Sequence, residues 1–144
     1  KKGSDGLTDH EKAIFGNAAS KTLDSANIKV LQTAAADLDA DGMSEIVVSA
    51  TSGGFDPTAK TGSAGLFALD KKSDSFKTVR TSTLGPYRIE ATLDVNGDGS
   101  RELLVSERRF AASGAKTDTF LVLRMNEGAF ENVAEVESCW PKPK

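Results

Sequence analysis

Two stretches of the chain carry the same unusual pattern: DLDADGMSE from Asp37 to Glu45 and DVNGDGSRE from Asp94 to Glu102. Each sets oxygen-bearing side chains at alternate positions, follows them with a glycine and closes on a glutamate. Calcium takes six to eight oxygen ligands, and a chain wraps it by offering side-chain oxygens at loop positions 1, 3 and 5, a turn-forming glycine at 6 and a carbonyl at 7. The first loop offers Asp37, Asp39, Asp41, Gly42 and the carbonyl of Met43; the second offers Asp94, Asn96, Asp98, Gly99 and the carbonyl of Ser100. A hairpin turn also favours Asp, Asn and Gly. It has no need of three alternate acids that repel one another, or of a second copy of the pattern with matching flanks.

The residues after each loop decide the scaffold. An EF-hand places a bidentate glutamate at position 12 on an exiting helix, but here position 12 is Val48 or Val105. The acid stands at position 9 instead, as Glu45 and Glu102, and opens a β-branched or aliphatic run. The loops therefore join strands.

The flanks of the two loops repeat along with the loops themselves. The first unit reads as strands NIKVLQTAAADL, EIVVSA, LFALD and SFKTVRTST; the second as YRIEATL, ELLVSERRF, TFLVLRMN and AFENVAEVE, with AASGAKTD as a loop. Each unit thus has four strands, the acidic loop joining its first two. That is the plan of a propeller blade. The second and third strands are continuously apolar, as expected when both sheet faces are covered. Ahead of them, LTDHEKAIFG supplies Thr8 as N-cap, Glu11 as its capping-box partner and Gly16 as a stop, which predicts a helix from about Asp9 to Phe15.

The expected fold class is all-β: two four-stranded antiparallel propeller-like blades with calcium loops, preceded by a short N-terminal helix. The expected division is an N-terminal segment over 1–26, blade 1 over 27–84 and blade 2 over 85–140.

The passages AADLDADGMSEIVVSA and EATLDVNGDGSRELLVSE resemble the FG-GAP/VCBS repeat, the calcium-loop propeller blade of integrin alpha subunits and of many bacterial and fungal secreted proteins, over about 27–137. No Phe-Gly pair precedes either loop and no Gly-Ala-Pro follows, so the likeness is to the bacterial VCBS type rather than the integrin form. The resemblance implies two calcium ions. It adds Glu45 to Asp37, Asp39 and Asp41 as ligands in the first blade, and Glu102 to Asp94, Asn96 and Asp98 in the second. It further implies a secreted or cell-surface module, extracellular or periplasmic, for protein interaction or adhesion. The segment SDGLTDHEKAIFGNAASKTLDSAN is similar to a bacterial thrombospondin type 3 repeat, keeping Asp5, Gly6, Leu7, Asp9 and Glu11, with Lys1 and Gly3 at the first two ligand positions of a degenerate loop.

Other classes find little support. A net charge of −3 and Lys and Arg residues scattered along the chain give no nucleic-acid footprint. No apolar run approaches the roughly 20 residues of a membrane helix, and KKGSDG opens no signal-peptide core, so the expectation is a soluble, mature or excised segment, with a longer propeller around it left open. One histidine, His10, would have to carry any Ser-His-Asp centre, and no nucleophile elbow or phosphate loop is visible, so no enzyme is expected. The single cysteine, Cys139, is expected to be a buried thiol. Tyr87 and Trp140 are the candidate sugar-stacking platforms of a carbohydrate-binding alternative, against a packing role. A non-catalytic domain of a larger secreted enzyme or toxin is the third reading. The run Glu107–Arg109 is expected to be a solvated strand end.

Overall fold

The computed structural model describes residues 7–23, 27–40, 42, 44–56, 59, 61–83, 85–94, 97, 101–110, 116–126 and 129–139. It contains one helix and two four-stranded antiparallel sheets, each an open meander in sequence order. The first sheet runs β1 (Ile28–Ala36), β2 (Glu45–Ser52), β3 (Ala64–Asp70) and β4 (Ser75–Ser82); the second runs β5 (Tyr87–Leu93), β6 (Glu102–Phe110), β7 (Lys116–Asn126) and β8 (Ala129–Cys139). Among the described residues no helix is long and apolar enough to cross a membrane.

The helix α1 (Asp9–Thr22) starts as the sequence implies. Glu11 N–H donates to Thr8 Oγ1 at 3.1 Å, and Thr8 N–H donates to Glu11 Oε1 at 2.9 Å, a reciprocal capping box. The expected stop at Gly16 is corrected: the helix continues to Thr22, and Leu23 N–H closes it on Ala19 O at 2.8 Å. Phe15, Ala19 and Leu23 recur at every fourth position and are all buried. Burying that stripe outweighs the roughly 1 kcal/mol that an interior glycine costs relative to alanine.

Three layers result. α1 packs on one face of the first sheet through Phe15, which meets the rings of Phe67 and Phe76 edge-on at 5.3 Å each; Ile46, Val48 and Leu69 complete this core. The opposite face of the first sheet, with Val47, Leu66 and Ala68, packs on Leu103, Val105, Leu121 and Leu123 of the second. Covered on both sides, β2 is buried along its whole length. Among the described residues, the far face of the second sheet has no such cover: Leu104, Phe120 and Val122 stay half-buried.

The loop repeat is also a repeat of orientation. The alignment that sets Asp37 on Asp94 carries Ile46 and Val48, which face α1, onto Leu103 and Val105, which face the first sheet; it carries Val47, which faces the second sheet, onto the outward-facing Leu104. The sheets therefore stack head to tail, with α1 where a preceding sheet would lie.

Side chains of the first sheet cap the edge of β5. Gln32 Nε2 donates to Ile89 O and Ile89 N–H donates back to Gln32 Oε1, both at 2.8 Å, while Ser49 Oγ donates to Tyr87 O. Without them the β5 edge would present unpaired backbone groups.

Strand bounds and exposure differ from expectation at several points. β7 begins at Lys116, inside the expected loop, where Asp118 accepts from Arg108 Nε at 3.1 Å across the ladder. Glu107, expected in solvent, is only 3% exposed, because the alternation that turns Leu103 and Val105 inward carries Glu107 with them. β8 extends to Cys139, whose side chain lies outside the described residues, as does Trp140.

Candidate metal centre

The first acidic loop leaves β1 after Ala36 and enters β2 at Glu45, and these two residues are register partners. The ladder therefore clamps both ends of the loop. Leu38 is fully buried between the sheets. Its anchorage fixes the backbone between Asp37, half-buried, and Asp39, exposed. Glu45 is 4% exposed, and its Oε2 accepts the Leu38 N–H at 2.6 Å. The chain bends back through Ala40 (φ 61°) and Gly42 (φ 86°), both left-handed, and Gly42 N–H donates to Asp37 Oδ2 at 2.9 Å. Glycine adopts this backbone without strain, which is why the calcium-loop pattern wants it at position 6.

Asp37, Asp39 and Glu45 are thereby brought together, one carboxylate oxygen from each lying within 4.8 Å of the other two. Three points so spaced fit a circle of radius at most about 2.8 Å, near the 2.3–2.6 Å of a calcium–oxygen bond. All three donors are hard oxygens, which suit calcium, magnesium or manganese and disfavour the softer zinc and copper. The cluster can hold a metal ion. Asp41 and Met43, the other expected ligands of this loop, lie outside the described residues.

Of the second loop, Asp94 is exposed directly after β5, and Glu102 is 1% exposed as the first residue of β6. Asn96, Asp98 and Ser100 lie outside the described residues. The two loops share one end of the stack: Arg101 N–H, just past the second loop, donates to Asp37 O in the first at 3.1 Å.

Arg124 is a residue that sequence reasoning missed. Its guanidinium meets Glu102 Oε1 through Nη2 at 3.2 Å and Nε at 3.3 Å. A lone cation ending the apolar run FLVL was the available signal. In the ladders Val122 stands opposite Leu104 as Ala68 stands opposite Val47, so the first-sheet counterpart of Arg124 is the acid Asp70. Glu45 accepts the Leu38 N–H, and Val95, the matching position of the second loop, lies outside the described residues.

The N-terminal acidic positions form no centre among the described residues: Asp9 and Glu11 belong to the first turn of α1, where Glu11 serves the cap. Asp5 and Gly6 lie outside the described residues. His10 is exposed, with its Nε2 2.6 Å from Asp74 Oδ2.

Fold and site together define a class: a β-rich protein of two stacked antiparallel sheets under a helical cap, with an acidic cluster able to hold a metal ion. No family model matches the chain, and comparison with curated proteins and with solved structures finds no match either.

Proposed function

We propose that the chain is a calcium-binding interaction module of the FG-GAP/VCBS kind, two propeller-like blades whose loops each take one calcium ion, acting in protein interaction or adhesion outside the cytoplasm. The observation that carries this reading is the convergence of Asp37, Asp39 and Glu45 on a loop anchored by Leu38. The oxygen-only donor set, the left-handed Gly42 and the recurrence of the pattern from Asp94 to Glu102 support it. Head-to-tail stacking of the sheets supports the blade interpretation, because propeller blades relate to their neighbours in that sense. The aromatic-platform version of carbohydrate binding loses support from Tyr87, which is 2% exposed.

Calorimetric titration of calcium into metal-free protein tests the proposal. The first loop offers four carboxylates and the second three, so two classes of site are expected, the tighter in the first loop, with dissociation constants on the order of 10⁻⁴ to 10⁻³ M or somewhat tighter. Asp37→Ala should remove the tighter class and Asp94→Ala the weaker. Heats absent from the wild type would dismiss the calcium reading and leave both loops as turns.

A further inference from the structure

Among the described residues, two buried side-chain atoms have no hydrogen-bond partner: Arg80 Nε and Thr119 Oγ1. They lie on opposite sheets: Arg80 lines a cavity between them, and Thr119 is the ladder neighbour of Glu107, which lines it too. This cavity of about 450 Å³ opens where the end of β4 meets the start of β5, with Thr22, Ser63, Arg80, Ser82, Tyr87 and Glu107 in its wall. Glu107 is the register partner of Tyr87 on one side and of Thr119 on the other. Directly opposed residues of a ladder share a face, so Tyr87, Glu107 and Thr119 form one row turned toward the first sheet. Their exposures are 2%, 3% and 1%.

Buried donors without acceptors are rare in native proteins and mark places where something else belongs. Here an arginine donor is unanswered in the wall of a cavity large enough for a small organic molecule. We propose that this cavity binds a small hydroxylated carboxylate, the chemical class of a hexuronate sugar acid. The planar guanidinium of Arg80 matches a carboxylate in geometry and charge. The wall hydroxyls of Ser63 and Ser82 can donate to or accept from ligand hydroxyls. Glu107 accepts from a ligand O–H, since a carboxylate has about four lone-pair sites and serves several donors at once.

The mixed wall is what selects this class. A bare anion such as phosphate would meet Arg80 but also the negative charge of Glu107. A neutral sugar would leave Arg80 Nε without a charged acceptor. This site is separate from the acidic loops and does not depend on calcium.

The test is a protein-observed NMR titration of the full chain with glucuronate, with glucose and inorganic phosphate in parallel. Glucuronate is expected to saturate, to bind at least tenfold more tightly than either control, and to shift amides around Arg80 and Thr119. Arg80→Gln should weaken it tenfold or more without lowering the melting temperature, because the substitution removes a buried donor that the folded protein leaves unpaired. Ser63→Ala, a small change in the cavity wall, should weaken it severalfold and serves if Arg80→Gln folds poorly. Three results would overturn the proposal: no shifts with glucuronate, meaning that the cavity holds water alone; phosphate binding as tightly as glucuronate, meaning a simple anion site; or affinity unchanged in both variants, meaning that glucuronate binds elsewhere.

Discussion

Glu45→Gln separates the two jobs that the structure gives Glu45. The carboxamide oxygen can still accept the Leu38 N–H, now held at 2.6 Å by Oε2, so the loop keeps its anchor. What is lost is one of three negative charges whose oxygens lie within 4.8 Å of one another. Two unit charges at that distance repel by about 1 kcal/mol in water and about 3 kcal/mol at an effective dielectric of 20. Asp39 is exposed and Asp37 half-exposed, so the lower end applies, and relief of two such pairs is worth about 1–2 kcal/mol. The metal-free variant should therefore be more stable than the metal-free wild type. If the proposed calcium site forms, added calcium should reverse the order. Wild type gains about 2.7 kcal/mol at a hundredfold excess over the dissociation constant, a rise of about 5–11 °C in melting temperature for a chain of this size, while the variant gains little. Thermal melts by circular dichroism in calcium and in chelator, for both proteins, provide the four numbers. Identical wild-type melts in the two buffers, or a full calcium response in Glu45→Gln, would refute the reasoning.

Two glycines should respond in opposite directions to alanine. A Cβ on Gly85 would sit 1.3 Å from Arg108 O, so Gly85→Ala must part β5 from β6 and should cost about 3 kcal/mol or more by urea denaturation; Gly16 has nothing within 4 Å of that position, and Gly16→Ala should stabilise the helix by about 0.5–1 kcal/mol. In acid, Asp70 gives a small signature: the Lys77 ammonium, 3.1 Å away, holds its carboxyl below the usual carboxylate range. A carboxyl depressed in the fold stabilises above its unfolded value of about 3.9 and loses that contribution as pH falls through the folded value. Unfolding free energies from urea titrations at pH 6 and pH 3 should fall slightly less in Asp70→Asn than in wild type, by under about 1 kcal/mol because Lys77 is mostly in solvent.

How much of this is legible in the sequence depends on the range of the interaction concerned. β5 and β6 begin and end where the local pattern places them, since turn residues and apolar runs act within a few positions. The helix runs past its expected end because Gly16 is a strong local signal, whereas the stripe of Phe15, Ala19 and Leu23 acquires its value from a sheet far along the chain. Glu107 shows a different failure. Its charge and the two arginines after it suggest solvent, yet alternation from Leu103 already places it inward. The Arg124–Glu102 pair requires the β6–β7 register, in which Leu103 lies opposite Leu123. The carboxylates of the first loop are legible because their chemistry is written at alternate positions of one short segment.

The head-to-tail stack makes α1 more than an appendage. The face it covers, with Ile46, Val48, Phe67, Leu69 and Phe76, is the repeat equivalent of the second-sheet face already packed on the first sheet through Leu103, Val105 and Leu121. Its natural complement in this architecture is therefore the face corresponding to Val47 and Ala68, which in the second sheet is the outward face of Leu104 and Val122. Two intact copies cannot make that contact, because α1 presents Asp9, His10, Lys12, Asn17 and Lys21 to solvent instead. Such contacts are heterologous, and heterologous contacts propagate into rings or open filaments when nothing stops them. On the proposed blade reading, α1 would act as the stop, as polar caps do in repeat proteins. Removing residues 1–26 should thus expose an apolar face that seats on the outer face of another copy's second sheet, and the truncated chain should form dimers and higher stacks that grow with concentration in sedimentation velocity, while the intact chain should not. Leu104→Lys, placed on the receiving face, should suppress this growth in the truncated protein. A truncated chain that stays folded and monomeric at high micromolar concentration would show that the two sheets do not stack by a repeated contact, and that α1 only fills a local hollow.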